Sequence, residues 1–320
     1  VIWTTTPWTL PSNKSIAVKS DLNYILVSNN KEIYIIAESL FEKFQERTNL
    51  ELSILARCSG ENLINLEANH PFLDNKINII SSDHVTDDSG TGCVHIAPAH
   101  GIEDFELGKK HNLEVVNPIQ SDGIFSGLPE ELNGTHVYKL DEQIINILTR
   151  EDKLLSSNKF KHSYPHCWRT KTPLIYRATP QWFISMKKNN LIDKTLEKIP
   201  EVEWLPAWGE ARIEGMISQR PDWCISRQRK WGVPITLLIN KKTGEPHSNS
   251  SIIFSRICKL VEEYGIEKWF EIDIGDLIDN PDDYEKVQDT LDVWFDSGSS
   301  HAAVLETCLL YTSDAADELL

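Results

Sequence analysis

Short apolar runs broken by polar turns fill the first half of the chain, at residues 16–18, 24–27, 32–36 and 77–80, with Asn29-Asn30 and Ser81-Ser82-Asp83 among the interruptions. Runs of this length, rich in Ile, Val and Tyr and bounded by turn formers, predict strands. Apolar spacing of the helical kind predicts helices over 37–49, 102–111 and 140–151. Together these elements predict a compact, β-rich barrel with peripheral helices that ends near Asn158. Beyond it the pattern changes. Longer helical stretches cover 191–199, 208–217 and 251–264, with a strand over 233–239 and a strand-like stretch over 290–295. Alternating strands and helices predict a parallel α/β architecture there. The overall class is therefore mixed, β-rich first and α/β afterwards.

Composition narrows the setting. The 320 residues are 40% hydrophobic, enough for two ordinary cores. No apolar run approaches the roughly 18–20 residues of a membrane span, and no signal-peptide pattern opens the chain. Six cysteines are scattered without metal-ligand spacing. Cys167-Trp168-Arg169-Thr170 is one substitution short of CxxC, so no structural zinc is expected. Reduced thiols suit a cytoplasmic compartment. Net charge is −16, which at first disfavours a nucleic-acid partner. Its distribution softens that: between Lys159 and Lys188 stand seven basic side chains and no acid, either a phosphate-binding patch or a solvated face, while thirteen acids and two lysines lie between Glu262 and Asp296. Binding to phosphates depends on a local patch, so an acidic chain can still hold RNA.

Two segments carry chemistry rather than packing. Trp3-Thr4-Thr5-Thr6-Pro7-Trp8-Thr9-Leu10-Pro11 crowds four hydroxyls into six positions, and its prolines argue against a central strand. Gly90-Thr91-Gly92-Cys93-Val94-His95-Ile96-Ala97-Pro98-Ala99-His100-Gly101-Ile102-Glu103-Asp104 places a carboxylate nine positions after an imidazole. In an isolated strand Thr4 and Thr6 would share one face and Thr5 the other. Cys93 reads as a small buried residue rather than a nucleophile. His100 is open between a lining group and a solvated loop position.

Both segments resemble the editing domain of the isoleucyl-tRNA synthetases, a family of class I aminoacyl-tRNA synthetases. Thr6-Pro7-Trp8 has the isoleucyl form, where the valyl and leucyl relatives typically carry Arg-Pro. Tyr164-Pro165-His166-Cys167-Trp168-Arg169 and Thr172-Pro173-Leu174-Ile175-Tyr176-Arg177 resemble the return from the editing insertion. Arg220-Pro221-Asp222-Trp223-Cys224-Ile225-Ser226-Arg227-Gln228-Arg229-Lys230-Trp231-Gly232 and Asp292-Val293-Trp294-Phe295-Asp296-Ser297-Gly298-Ser299 resemble the synthetic core. The resemblance implies a barrel-like editing domain, 1–158, inserted into a partial Rossmann-like nucleotide-binding core, 159–306. The tail 307–320 matches nothing of the family and reads as an artefact. The family's HIGH and KMSKS elements are not in the chain, which implies an internal fragment unable to form an adenylate.

The same resemblance implies roles. Asp104 would bind the substrate ammonium, and His95 would line the amino-acid pocket, its part as a base left open. Thr4, Thr5, Thr6 and Thr9 would supply hydroxyls, with Asn13 nearby. Trp294 would either wall the isoleucine pocket or pack as a core tryptophan, and Arg227, Arg229 and Lys230 would either meet phosphate or the tRNA acceptor end or make internal salt bridges. The parent reaction joins isoleucine to its tRNA with ATP and Mg²⁺. Editing of valine-charged tRNA would need no cofactor. A cytoplasmic monomer is expected, with a valyl or leucyl sibling and a non-catalytic tRNA-binding module as the alternative readings.

Overall fold

In the computed structural model residues 1–159, 163–229 and 231–306 are described; Lys161 of the basic run, Lys230 and the tail 307–320 lie outside them. The chain divides into two compact units, Val1–Thr179 and Pro180–Leu320.

In the first unit the Thr-rich segment is no strand. It runs into a 3₁₀ helix, Pro7–Ser12, with proline at its first position, where a missing N–H costs nothing. Then follow β1 (Ser15–Val18), β2 (Asn23–Ser28), β3 (Ile33–Ala37), α1 (Phe41–Thr48), β4 (Ser53–Ser59), β5 (Glu67–Asn69), β6 (Lys76–Ser81), β7 (Val94–Ile96), α2 (Ile102–Lys110) and α3 (Leu140–Arg150). The predicted strands and helices of this half are therefore present, the helix over 37–49 shortened by a 3₁₀ turn, Glu38–Leu40, before α1.

Two sheets form. One has the order β5-β6-β1-β7, with β1 parallel to β6 and antiparallel to β7. The other, β3-β2-β4, is antiparallel throughout. Helix α3 buries Leu140, Ile144, Ile147 and Leu148, one stripe of a 3.6-residue period, against Trp8, Leu10, Ile119 and Phe125. This packing fixes the 3₁₀ helix. A separate cluster of Ala17, Ile80, Val85, Ile96 and Leu107 seats α2 on the first sheet, and with it Asp104 in the first turn of α2. Gly92 adopts φ +76°, and a Cβ there would stand 2.4 Å from that of Ala37. The glycine thus permits both the left-handed turn and the approach of the two segments.

The second unit contains β8 (Phe183–Ile184), α4 (Leu191–Lys198), α5 (Trp208–Ser218), β9 (Trp223–Cys224), β10 (Ser226–Arg227), β11 (Leu238–Asn240), α6 (Ser250–Tyr264), α7 (Glu267–Glu271), β12 (Tyr284–Lys286), β13 (Thr290–Leu291) and α8 (Val293–Gly298). Its described strands pair as three antiparallel two-stranded ladders, β8-β9, β10-β13 and β11-β12, and not as the parallel sheet that alternation predicted. Two local reasons are visible. Pro234 cannot donate to a ladder and makes only an isolated bridge to Thr290, so the strand over 233–239 contracts to β11. The stretch over 290–295 turns helical after Leu291, because the Asp292 side chain accepts the Trp294 N–H and caps α8. Ile253, Ile257, Trp269, Ile272 and Ile278 make the core of this unit around Leu238.

Candidate active site

A hollow of about 290 Å³ lies in the first unit, lined by Trp3, Thr4, Thr5, His84, Thr86, residues 89–95 and Asp104. Two of the three consecutive threonines, the imidazole and the carboxylate singled out in the sequence thus meet in one place. Thr6 faces a second hollow, of about 350 Å³, together with Thr5, Trp8, Tyr138 and Asp141. The hydroxyls of Thr4 and Thr6 are 3.5 Å apart, and the Thr6 N–H donates to Thr4 Oγ1 at 3.1 Å. Thr5 stands exposed and borders both spaces.

His95, on β7, is 9% exposed and held at both ring nitrogens. Nε2 is 3.0 Å from Thr9 Oγ1, and Nδ1 is 3.2 Å from Asn13 Nδ2. Thr9 donates its only proton to the Thr6 carbonyl at 2.9 Å. Its oxygen must therefore accept from His95, which fixes the proton on Nε2 and leaves Nδ1 to accept from the Asn13 amide. Burial first, then the neighbouring His100 and His70 rings, holds the His95 pKa down to about 4. The imidazole is neutral and carries no spare lone pair for proton abstraction. Thr9 and Asn13 themselves are buried behind it and do not line the hollow.

Asp104 accepts the Ala97 N–H through Oδ2 at 2.8 Å, leaving Oδ1 for a ligand. Burial raises its pKa, opposed by that hydrogen bond and by His84. A carboxylate so placed is the natural seat of a fixed cation.

Three histidines clamp the 3₁₀ helix that carries the hydroxyls. His70 Nε2 meets the Leu10 carbonyl at 3.0 Å, His95 meets Thr9, and His100 Nε2 meets Ser12 Oγ at 2.8 Å. His100 also reaches the Tyr176 carbonyl at 2.9 Å, so it is neither a lining group nor a solvated one. Asp141 completes the clamp by accepting the Trp8 N–H at 3.0 Å. These partners are 60 to 133 residues away in the chain, and no spacing rule announces them. His84 was equally hidden, since it belongs to no motif and follows an ordinary Ser-Asp turn. Cys93 is buried and its thiol pKa is raised by burial, as suits an inert side chain.

The second-unit candidates stand apart in kind. Arg227 donates to Asp292 Oδ2 at 2.8 Å and to the Cys224 and Ser226 carbonyls, each at 2.8 Å. Asp292 also accepts Trp223 Nε1 at 3.0 Å, the main reason its pKa is lowered. Arg227 is thus spent on the unit's own framework. Arg229 is exposed, and Trp294 on α8 is 72% exposed.

The profile of the family described as "tRNA synthetases class I (I, L, M and V)" matches residues 12–318. Among curated proteins, the chain is 51% identical over 307 residues to the isoleucine–tRNA ligase of Francisella philomiragia, covering 96% of this chain and 33% of that protein. It is 48% identical to the ligase of Saccharophagus degradans, over 95% of this chain and 33% of that protein, and 48% identical to that of Vibrio campbellii, over 99% and 34%. The chain spans about a third of the length of these relatives. Among solved structures, the editing domain of the P. falciparum cytosolic leucyl-tRNA synthetase aligns with a TM-score of 0.40 at 14% identity, over 48% of this chain and 78% of that one. The match of the family profile across nearly the whole chain decides the matter: the chain belongs to the class I tRNA synthetases of the I, L, M and V group.

Proposed function

We propose that the hollow between the Thr-rich segment, β7 and the start of α2 hydrolyses the ester that joins a wrongly attached amino acid to tRNA, and that valine on isoleucine tRNA is its substrate. The observation that carries this reading is the convergence of Thr4, Thr5, His95 and Asp104 on one space. About 290 Å³ is just below the range of roughly 300–1,000 Å³ common for small-molecule sites, which suits a small aliphatic ester. A second pocket has a purpose because one missing methylene changes binding by only about 1–3 kcal/mol, a limit for which isoleucine against valine is the general illustration.

In this reading Asp104 Oδ1 takes the substrate ammonium and fixes the acyl group. The Thr4 and Thr5 hydroxyls orient the ribose end and the attacking water. The water oxygen bonds to the acyl carbon, the bond to the ribose oxygen breaks, and one proton of that water passes to the ribose oxygen. Free amino acid and the tRNA hydroxyl leave. An ester already activated needs positioning and polarising hydrogen bonds more than a strong base. That fits a neutral His95 whose nitrogens are both engaged, so His95 shapes the pocket and excludes isoleucine by size. Thr6, Thr9 and Asn13 hold the wall from behind.

The whole ligase would activate isoleucine with ATP and Mg²⁺ and transfer it to its tRNA as a cytoplasmic monomer. Trp294 would wall the isoleucine pocket and Arg229 with Lys230 would meet the acceptor end. Among the described residues no group of three or more His, Cys, Asp or Glu side chains that could hold a metal ion is found. The barrel-like editing domain over 1–158 and the nucleotide-binding core over 159–306 belong to the same reading. The test is deacylation of valine-charged and isoleucine-charged isoleucine tRNA by this chain. Faster loss of valine supports the proposal; tRNA binding with neither ester cleaved overturns it.

A further inference from the structure

His84 lines the same hollow as Asp104, yet the hydrolysis gives it no part. It stands three residues past the end of β6, in the turn that leaves the first sheet. Its Nδ1 is 2.7 Å from Ser82 Oγ, and Ser82 Oγ accepts the His84 backbone N–H at 3.4 Å. Ser82 is buried, and the acceptor its hydroxyl proton finds among the described residues is His84 Nδ1. That assigns the ring proton to Nε2. Nε2 is shielded from solvent and has no hydrogen-bond partner among the described residues. A buried donor left unpaired is costly, so such a group calls for an acceptor close by.

The chemistry around it points to one acceptor. Asp104 is the one carboxylate among the residues that line this hollow with His84. One oxygen of that carboxylate is already fixed by the Ala97 N–H. Resting on the hydrolytic function proposed for this hollow, we infer that His84 is the positioning residue for Asp104: when an ammonium enters, the Nε2–H of His84 and the N–H of Ala97 hold the carboxylate between them and aim its free lone pairs at the cation. Ser82 serves the same end by fixing the tautomer.

A non-hydrolysable probe separates this role from general stability. Titration calorimetry of the full chain would compare two amides of 3′-amino-3′-deoxyadenosine, one bearing valine and one bearing 3-methylbutanoate, which lacks the ammonium. The ratio of the two dissociation constants reads the grip on the cation alone. His84→Phe is expected to shrink that ratio about tenfold while leaving the 3-methylbutanoyl amide within twofold. His84→Gln, which restores a donor near the Nε2 position, should recover most of it. Ser82→Ala should lose about threefold with His84 in place. A His84→Phe chain that melts like the parent and keeps the full ratio overturns the inference and leaves the hydrolytic reading standing. A parent chain with no preference for the ammonium-bearing amide removes both.

Discussion

Thr9 Oγ1 stands 3.0 Å from His95 Nε2 while giving its own proton to the Thr6 carbonyl. This relationship settles the tautomer of the imidazole and ties the pocket wall on β7 to the hydroxyl-bearing segment. Thr9→Val should keep the shape of the side chain and remove the acceptor. The His95 N–H is then left unpaired in a buried place, while the Thr6 carbonyl keeps the Thr9 backbone N–H at 3.0 Å, and stability should fall by about 1–3 kcal/mol. A double-mutant cycle with His95→Phe should return a coupling of about 0.5–3 kcal/mol in urea unfolding. Additive losses would show that the two side chains do not work as a unit.

Asp104→Asn keeps the acceptor for the Ala97 N–H and removes the charge. Loss of a charge-assisted contact of about 1.5–3 kcal/mol corresponds to a fall of roughly 10–150-fold in kcat/KM for valine-charged tRNA. Steady-state deacylation checks it, and unchanged kinetics would remove Asp104 from the site.

Acid should loosen the first unit in a defined window. An unfolded histidine titrates near 6.5, whereas His95 in the fold titrates at about 4. Between those values the unfolded chain binds more protons than the folded one, so stability is complete above about pH 6.5 and declines as pH falls toward 4. The contribution of His95 is about 3 kcal/mol, since each tenfold loss of proton affinity on folding is worth about 1.36 kcal/mol. Burial lowers His70 and His100 as well, in the same sense. Asp104 and Asp141 oppose them, since raised carboxylate values let the fold take up protons before the unfolded chain does. Urea midpoints at pH 7, 5.5 and 4.5 should drop in that order; a flat series would contradict neutral, clamped imidazoles.

Arg227 and Arg229 should separate in solution. Arg227→Lys cannot reproduce the fork that meets Asp292 and two carbonyls, so it should lower the melting point and leave the salt dependence of tRNA binding unchanged. Arg229→Ala should leave stability within about 0.5 kcal/mol and, if it meets phosphate, reduce the salt slope by about 1. The reverse assignment in filter binding would refute this division.

Periodicity and β-branched runs determined most strands and helices of the first unit, because those elements bury one face and announce it locally. Through their family resemblance the Thr-rich and Gly-Thr-Gly segments pointed to Thr4, Thr5, Thr6, His95 and Asp104, and of these the fold gathers Thr4, Thr5, His95 and Asp104 around one hollow. Other features depended on contacts that no local pattern encodes. The chain could not reveal that Thr9 and Asn13 stand behind His95, that His70, His95 and His100 clamp one 3₁₀ helix, or that Arg227 is consumed by Asp292. Nor could it show that Asp292 caps α8 where a strand was expected. Hydrogen bonds between groups 60 or more residues apart are chosen by tertiary packing, which decides which buried donor meets which acceptor. Residue types set the chemistry available to this protein; the fold alone decided which of those groups face the hollow and which are spent holding it open.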